Sequence, residues 1–378
     1  MMYSLITSLP LMTCALFSVL IALEWNNARL REQRILFVFM LTATMLYAGH
    51  YLFFNHAVHH VSFMDTIYVT TNLAVYPLYL IYIIRLTSRW KSFYWWMLLP
   101  AVIAAVASGS AYAMMTDEET TLFMERYLYH NKTEELTGAA WIQAWIHITC
   151  KIVFTIQVIV TIVMGVRMIN RYDHAVDQFY ADTEDKSMRN IQSVLYLVVI
   201  TAVISFTVNA IGRYRFTDSS WLLAIPSIAF SVLLFAIGYL GLHRCFSIID
   251  LDNDKVVETK QAKEDSLVDK TLSERIVEIV EKEKIYLQPN LKLEDLAKIM
   301  NTNRTYIYQA INQQMGVSFN EFINRRRVTH AERLMADYPT LSMNDIALQS
   351  GFASLSSFYR NLKKYKTTPT TMSINEND

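Results

Sequence analysis

Seven apolar stretches, each close to the length of a membrane crossing, occupy the first two thirds of this 378-residue chain. The hydrocarbon core of a bilayer is about 30 Å thick and takes about 20 apolar residues in a helix. Lipid offers no partner to an exposed backbone N–H or carbonyl, so only a helix or a closed barrel can cross it. The windows are 4–23, 35–55, 66–84, 93–115, 143–166, 191–211 and 221–242. They predict an all-α chain with a polytopic helical membrane domain over 1–242. Residues 243–270 read as a charged connector of mixed sign, and 271–378 as an amphipathic, water-soluble helical domain. Composition averages these halves: 53% hydrophobic residues and a formal net charge of zero describe neither one. The first apolar run is too long for a signal-peptide core. The basic "RLREQR" follows it instead of a small-residue cleavage site, so it reads as a retained span.

Lys and Arg in short loops mark the cytoplasmic side. Arg29, Arg31 and Arg34 sit in the first loop, Arg85, Arg89 and Lys91 in the third, and Arg167, Arg171, Lys186 and Arg189 in the fifth. The second loop, "NHAVHHVSFMD", has neither residue, and the fourth, "TDEETTLFMERYLYHNKTEELTG", is dominated by Asp and Glu. Arg213 and Arg215 in the sixth loop dissent. The balance places the N-terminus outside and the C-terminal domain in the cytoplasm. Trp90, Trp95, Trp96, Trp141, Trp145 and Trp221 lie near span ends, where indoles favour the interface.

The soluble part is written twice. In "LEDLAKIMNTNRTYIYQAINQQMG", Leu296, Ala297 and Met300 form the inner face of a short helix, "NTN" is a turn, and Ile307 and Ile311 anchor the next helix. About 50 residues later Asp345, Ile346 and Ala347 repeat Asp295, Leu296 and Ala297, and Phe358 and Leu362 repeat the two isoleucines. Between the copies, Phe319, Phe322, Ile323, Val328, Ala331, Leu334 and Met335 are spaced as one long helix. Two helix-turn-helix units on a connecting helix can place reading helices in successive major-groove segments, about 34 Å apart. Candidate DNA contacts on the first reading helix are Asn303, Arg304, Thr305, Tyr308 and Gln309, with Asn303 or Thr302 as its cap. On the second they are Ser354, Ser356, Ser357, Tyr359, Arg360, Lys363 and Lys364. Arg325, Arg326 and Arg327 fit either phosphate contacts or paired surface charges, because consecutive helical residues point in different directions.

This double motif resembles the DNA-binding domain of the AraC/XylS family of bacterial transcription regulators, over about 275–371. The resemblance implies a largely helical domain with reading helices near 303–313 and 354–364, and DNA affinity gained when two chains pair. It also implies a bacterial inner membrane for the spans. Two departures stand out: Leu362 where the family usually has Phe, and "KKYKTTP" without the usual Gly.

The leading functional reading is therefore a membrane-embedded one-component transcription regulator, with double-stranded DNA, the lipid bilayer, an unidentified signal and a possible second copy as partners. A stimulus would change association or helix orientation in the spans, and 248–284 would transmit it. The alternative is a transporter or receptor whose tail binds a regulatory protein. No HExxH, paired intramembrane carboxylates or phosphate-binding Gly loop occurs, so neither an enzyme nor a cofactor is expected. Cys14, Cys150 and Cys245 lack disulfide or metal spacing, and no metal site is expected. His56, His59 and His60 fit an ordinary interfacial loop before a metal or pH sensor. Lys151 is either an intramembrane functional charge or a side chain snorkelling to the interface. Asn72, Pro77, Asn209 and Pro226 could shape a central cavity, and the tyrosines of "NLAVYPLYLIYIIR" could line a pocket or simply pack.

Overall fold

Each of the seven apolar windows corresponds to a helical segment in the computed structural model, which describes residues 2–24, 32–55, 61–88, 91–183, 186–211, 220–243 and 270–365. No strand occurs among the described residues. The chain splits into two compact units, one of 1–170 and 188–249, the other of 171–187 and 250–378. The second unit therefore takes in the fifth loop as well as the soluble tail.

The first unit holds α1 (Met2–Leu23), α2 (Glu32–Phe54), α3 (Val61–Thr87), α4 (Leu99–Met114, entered through a 3-10 turn), α5 (Asp117–Phe123), α6 (Gly138–Asp177, to Asn170), α7 (Arg189–Ile211) and α8 (Ser220–Leu242). Six of these helical segments are long and apolar enough to cross a membrane; in α7 the apolar stretch is shorter, Ile191–Ser205. At ~1.5 Å per residue, the 40-residue α6 is about 60 Å long, roughly twice the hydrocarbon thickness.

Helix α3 is the axis of this unit. Every residue from Tyr76 to Ile84 is buried, as expected of a helix that is apolar on all sides. Around it, α1 packs on α2 and α8, α2 on α3, α3 on α4, and α7 on α8. Val102, Ile103, Ile156, Val203, Trp221 and Ile225 are exposed, an outer apolar surface suited to acyl chains. Gly238 of α8 lies against the Phe17 ring so closely that any Cβ would overlap it. Small residues permit this approach where helices pack without a hydrophobic driving force. The acidic fourth loop is folded: Thr116 and Glu119 form a capping box for α5, and Phe123 and Tyr127 pack under Tyr112, Ala140 and Ala144.

A polar cluster around Asp65 lies within the apolar interior. Oδ2 of Asp65 accepts from the Tyr112 hydroxyl (2.8 Å) and the Gln143 amide (3.3 Å), and pairs with His147 Nε2 at 2.8 Å. Gln143 also donates to Ser108 Oγ at 2.7 Å. These contacts join α3, α4 and α6 away from water, where an unpaired carboxylate would be costly. A second buried carboxylate, Glu32, lies 3.7 Å from Arg85. Lys151 reaches the fourth loop, donating to Asn131 Oδ1 at 3.1 Å across the Tyr127 ring, which is the snorkelling arrangement. His56, His59, His60, Arg29, Arg31, Arg89, Trp90, Arg213, Arg215, Cys245 and most of the connector lie outside the described residues, as does the Asn209 side chain.

The second unit contains the last turns of α6 from Arg171, then α9 (Lys270–Lys282), a 3-10 turn at Ile285–Leu287, α10 (Leu293–Ile299), α11 (Arg304–Tyr308, continued by a wider turn at Gln309–Gln314), α12 (Phe319–Asp337), α13 (Met343–Gln349) and α14 (Leu355–Tyr365). Its apolar residues form two clusters, one under α9–α11 and the first turns of α12, the other between the rest of α12, α13 and α14.

Breaking the Asp65 cluster should destabilise the first unit more than trimming any single hydroxyl. Asp65→Ala strands His147 and Tyr112 and should cost about 3 kcal/mol. Asp65→Asn, which keeps an acceptor, should cost less. Thermal unfolding of the detergent-solubilised chain ranks the two.

Candidate nucleic-acid interface

Both helix-turn-helix units form, and Asn303, one of the two residues expected to cap the first reading helix, does so. In the first, Asp295 Oδ2 accepts from the Lys292 N–H (2.9 Å), starting α10, and Asn303 Oδ1 accepts from the Thr305 N–H (2.9 Å), starting α11. Asn301 takes a left-handed φ of 49° between them. In the second, Ser342 Oγ accepts from the Asp345 N–H and Ser354 Oγ from the Ser357 N–H, at 3.1 and 3.0 Å. The turn between α13 and α14 runs through Gly351 at φ +81°, where a Cβ would press into the backbone of Leu287. Glycine alone satisfies both demands. Ile307, Ile311 and Phe358 are fully buried as anchors, and Leu362 packs at the edge of its cluster.

The candidate reading residues fall into two groups. On α14, Ser356, Tyr359, Arg360, Lys363 and Lys364 are exposed. Ser354 is spent on the cap, and Ser357 is buried, its Oγ turned toward the Asn361 amide. On α11, Thr305 is exposed, whereas Asn303, Arg304, Tyr308 and Gln309 are half-buried. Part of that cover comes from Phe179, just past the end of α6. The Tyr308 ring stacks on it with centroids 5.9 Å apart, and the Arg304 guanidinium lies 5.1 Å from its centroid.

Phe179 belongs to a short segment built into this unit. The Ala181 N–H donates to the Leu291 carbonyl and the Leu293 N–H to the Phe179 carbonyl, both at 3.0 Å. The Ala181 carbonyl receives the amides of Asn320 (2.6 Å) and Asn324 (2.8 Å) of α12. Asp182 then meets Arg327: Oδ1 accepts from Nη1 at 2.8 Å while Oδ2 accepts from the Asn290 N–H at 2.8 Å. Arg327 is 0% exposed, and it also donates Nε to the Tyr286 carbonyl and Nη2 to the Gln288 carbonyl, both at 2.7 Å. Burial lowers the Arg327 pKa, and the Asp182 carboxylate opposes that shift.

The three consecutive arginines each have a carboxylate partner within this unit. Arg325 pairs with Glu321 at 2.6 Å, Arg326 with Glu281 at 2.8 Å, and Arg327 with Asp182. Sequence reasoning missed Phe179, Ala181 and Asp182. The available signal was Asn320, Asn324 and Arg327 at i, i+4 and i+7, a polar stripe on the inner face of α12 that demanded a buried polar partner.

A family model described as a helix-turn-helix domain matches residues 296–372. Similar proteins include an uncharacterised HTH-type transcriptional regulator of Staphylococcus aureus (strain COL), 31% identical over 81 residues. That match covers 21% of this chain and 11% of the relative, so the chain spans about a tenth of that protein's length. The lactose operon transcription activator of Staphylococcus xylosus is 31% identical over 78 residues, 21% of this chain and 28% of that protein. No solved structure matches. The chain carries a helix-turn-helix DNA-binding domain, similar to those of transcription regulators.

Removing one partner of the Asp182–Arg327 pair leaves the other charge buried, at a cost of about 3–5 kcal/mol. Asp182→Ala in the full chain should therefore expose the helix-turn-helix unit to protease, although residue 182 lies over 100 residues upstream of it. Limited proteolysis followed by mapping of the cut sites reads this out.

Proposed function

We propose that this chain is a membrane-embedded transcription regulator. Its C-terminal unit binds double-stranded DNA in the cytoplasm, and its membrane helices control that binding in response to a signal. The observation that carries the reading is the incorporation of a segment just past the 40-residue helix with an apolar span into the helix-turn-helix unit: Ala181 and Asp182 are buried in it and Phe179 packs on α11. A loop that only connected two spans would have no reason to supply the carboxylate for a buried arginine 145 positions further along the chain.

The same segment supports a means of control. Arg304 and Tyr308 are candidate DNA contacts, and Phe179 occupies the face they share. Base edges and Phe179 compete for those side chains, so the unit binds DNA less well while Phe179 is seated. A shift or rotation of α6 moves Phe179 directly, because only Gln178 separates it from the helix end. This route through 171–187 stands beside the one expected through 248–284, of which 244–269 lie outside the described residues. Pairing of two chains in the bilayer would add to it by doubling the reading helices.

Two predictions test the reading. A well-placed base contact contributes about 1–3 kcal/mol, so Arg360→Ala should weaken binding to a selected DNA site roughly tenfold. Phe179→Ala should strengthen it several-fold. Both are read by fluorescence anisotropy on the full chain in nanodiscs. Unchanged affinity in Arg360→Ala and Arg304→Ala alike would refute DNA reading by these helices. For the topology, a reporter active only outside the cytoplasm should be silent when fused after Lys270 and active within 116–138.

A further inference from the structure

The first unit contains a partly open pocket of about 180 Å³ between α1, α2, α3, α6, α7 and α8. Its walls are rich in rings held by one another. Tyr47 stacks on His50 (5.6 Å between centroids), His50 meets Tyr68 edge-on (5.0 Å), and Tyr76 meets Phe154 edge-on (5.2 Å). Such contacts fix ring orientation, so this space does not close by simple rotamer collapse. Asn72, near the midpoint of α3, also lines it, and among the described residues its amide has no hydrogen-bond partner. This half-buried amide, near the middle of an apolar helix, gains from a partner it can reach.

We propose that this cavity is the signal-binding site and takes a neutral molecule of one aromatic ring bearing one hydroxyl, a phenol or aryl alcohol. The proposal deepens the regulator reading and rests on it for the word signal. Size sets the first limit: a cavity of about 150 Å³ accommodates benzene, while drug-sized ligands occupy about 300–1,000 Å³. The space between the rings therefore matches a single aromatic ring. Charge sets the second. Aromatic walls suit a quaternary ammonium, but no Asp or Glu lines the cavity and Lys151 does, which disfavours a cation. Lys151 is itself engaged with Asn131, so the ligand needs no carboxylate to answer it. The third limit is the Asn72 amide, which can donate to or accept from one hydroxyl. A ligand of this class also partitions into lipid, which gives it access through the bilayer.

The test uses the full chain in nanodiscs, titrated with p-cresol and followed by isothermal titration calorimetry against protein-free nanodiscs. Saturable p-cresol binding above partitioning is expected, with toluene binding several-fold more weakly. Asn72→Leu should weaken p-cresol roughly fivefold to tenfold and leave toluene unchanged. Val198→Phe, which fills the cavity from α7, should abolish both. Size-exclusion profiles verify that each variant is folded, and a second cavity-filling change, Leu46→Phe on α2, replaces any that is not. Absence of a saturable component, or equal p-cresol affinity in all variants, overturns the proposal. DNA binding by the same nanodiscs is measured separately. Its loss would defeat the regulator reading without touching the cavity, and a null p-cresol result with intact DNA binding would do the reverse.

Discussion

The buried pair of Arg327 and Asp182 holds the second unit together. A guanidinium with no exposure to water must have its donors and its charge answered. Here four chain segments supply the answer: the turn at 285–288, Asn324 on its own helix, the carboxylate of Asp182, and the face of Phe352 at 5.6 Å. Phe352 belongs to the second helix-turn-helix unit and Tyr286 to the approach to the first. One side chain of α12 therefore fixes how both motifs attach to the connecting helix. The same carboxylate comes from a segment more than a hundred residues upstream, so the fold of the DNA-binding unit and its attachment to α6 are one constraint.

Much of this was legible in the sequence, for identifiable reasons. Apolar length gave the helices of the first unit, because in lipid the backbone has so few alternatives. The helix-turn-helix pattern gave α10–α14, because Ile307, Ile311, Ile346 and Phe358 mark inner faces at helical spacing and Ser, Asn and Asp mark the starts. The fifth loop was not legible. Arg171, Lys186 and Arg189 were visible as topology signals, and that reading absorbed the segment before Asp182 could be asked for its partner. Periodicity cannot announce a pairing across 145 positions; only the unexplained polar stripe of Asn320, Asn324 and Arg327 pointed to one. The candidate DNA contacts were legible as positions on helices, but exposure separates them. Ser354 and Ser357 carry the local structure of α14, whereas Arg360, Lys363 and Lys364 present charge to solvent.

The two units use polar groups differently. In the first, buried polar side chains such as those around Asp65 face other helices, and the outer surface stays apolar. In the second, the polar groups on the inner face of α12 determine the fold, and the exposed faces are left for ligands. Phe179 is the exception, an aromatic ring laid on the outer face of α11 where a nucleic-acid reader would keep polar groups open. Its ring packs on Tyr308 and beside Arg304, and under the proposed function that contact is where control would act.

The discontinuous second unit also bears on how the chain threads a bilayer. Residues 171–187 and 250–378 form one compact body, so both segments must lie on the same side of any membrane the chain crosses. The intervening residues 188–249 must leave and return, which requires an even number of crossings. Among their described residues there are two long helices, α7 and α8, packed against each other. Trp221–Leu242 is long and apolar enough to cross; if it does, α7 must cross as well, although its apolar stretch is only Ile191–Ser205. A short apolar stretch can cross when a longer neighbour shields its ends, and the polar residues of α7 outside that stretch then sit at the interface rather than in the hydrocarbon. If α8 crosses, the buried ion pair thus makes α7 and α8 a pair of crossings, with no appeal to the hydropathy of α7.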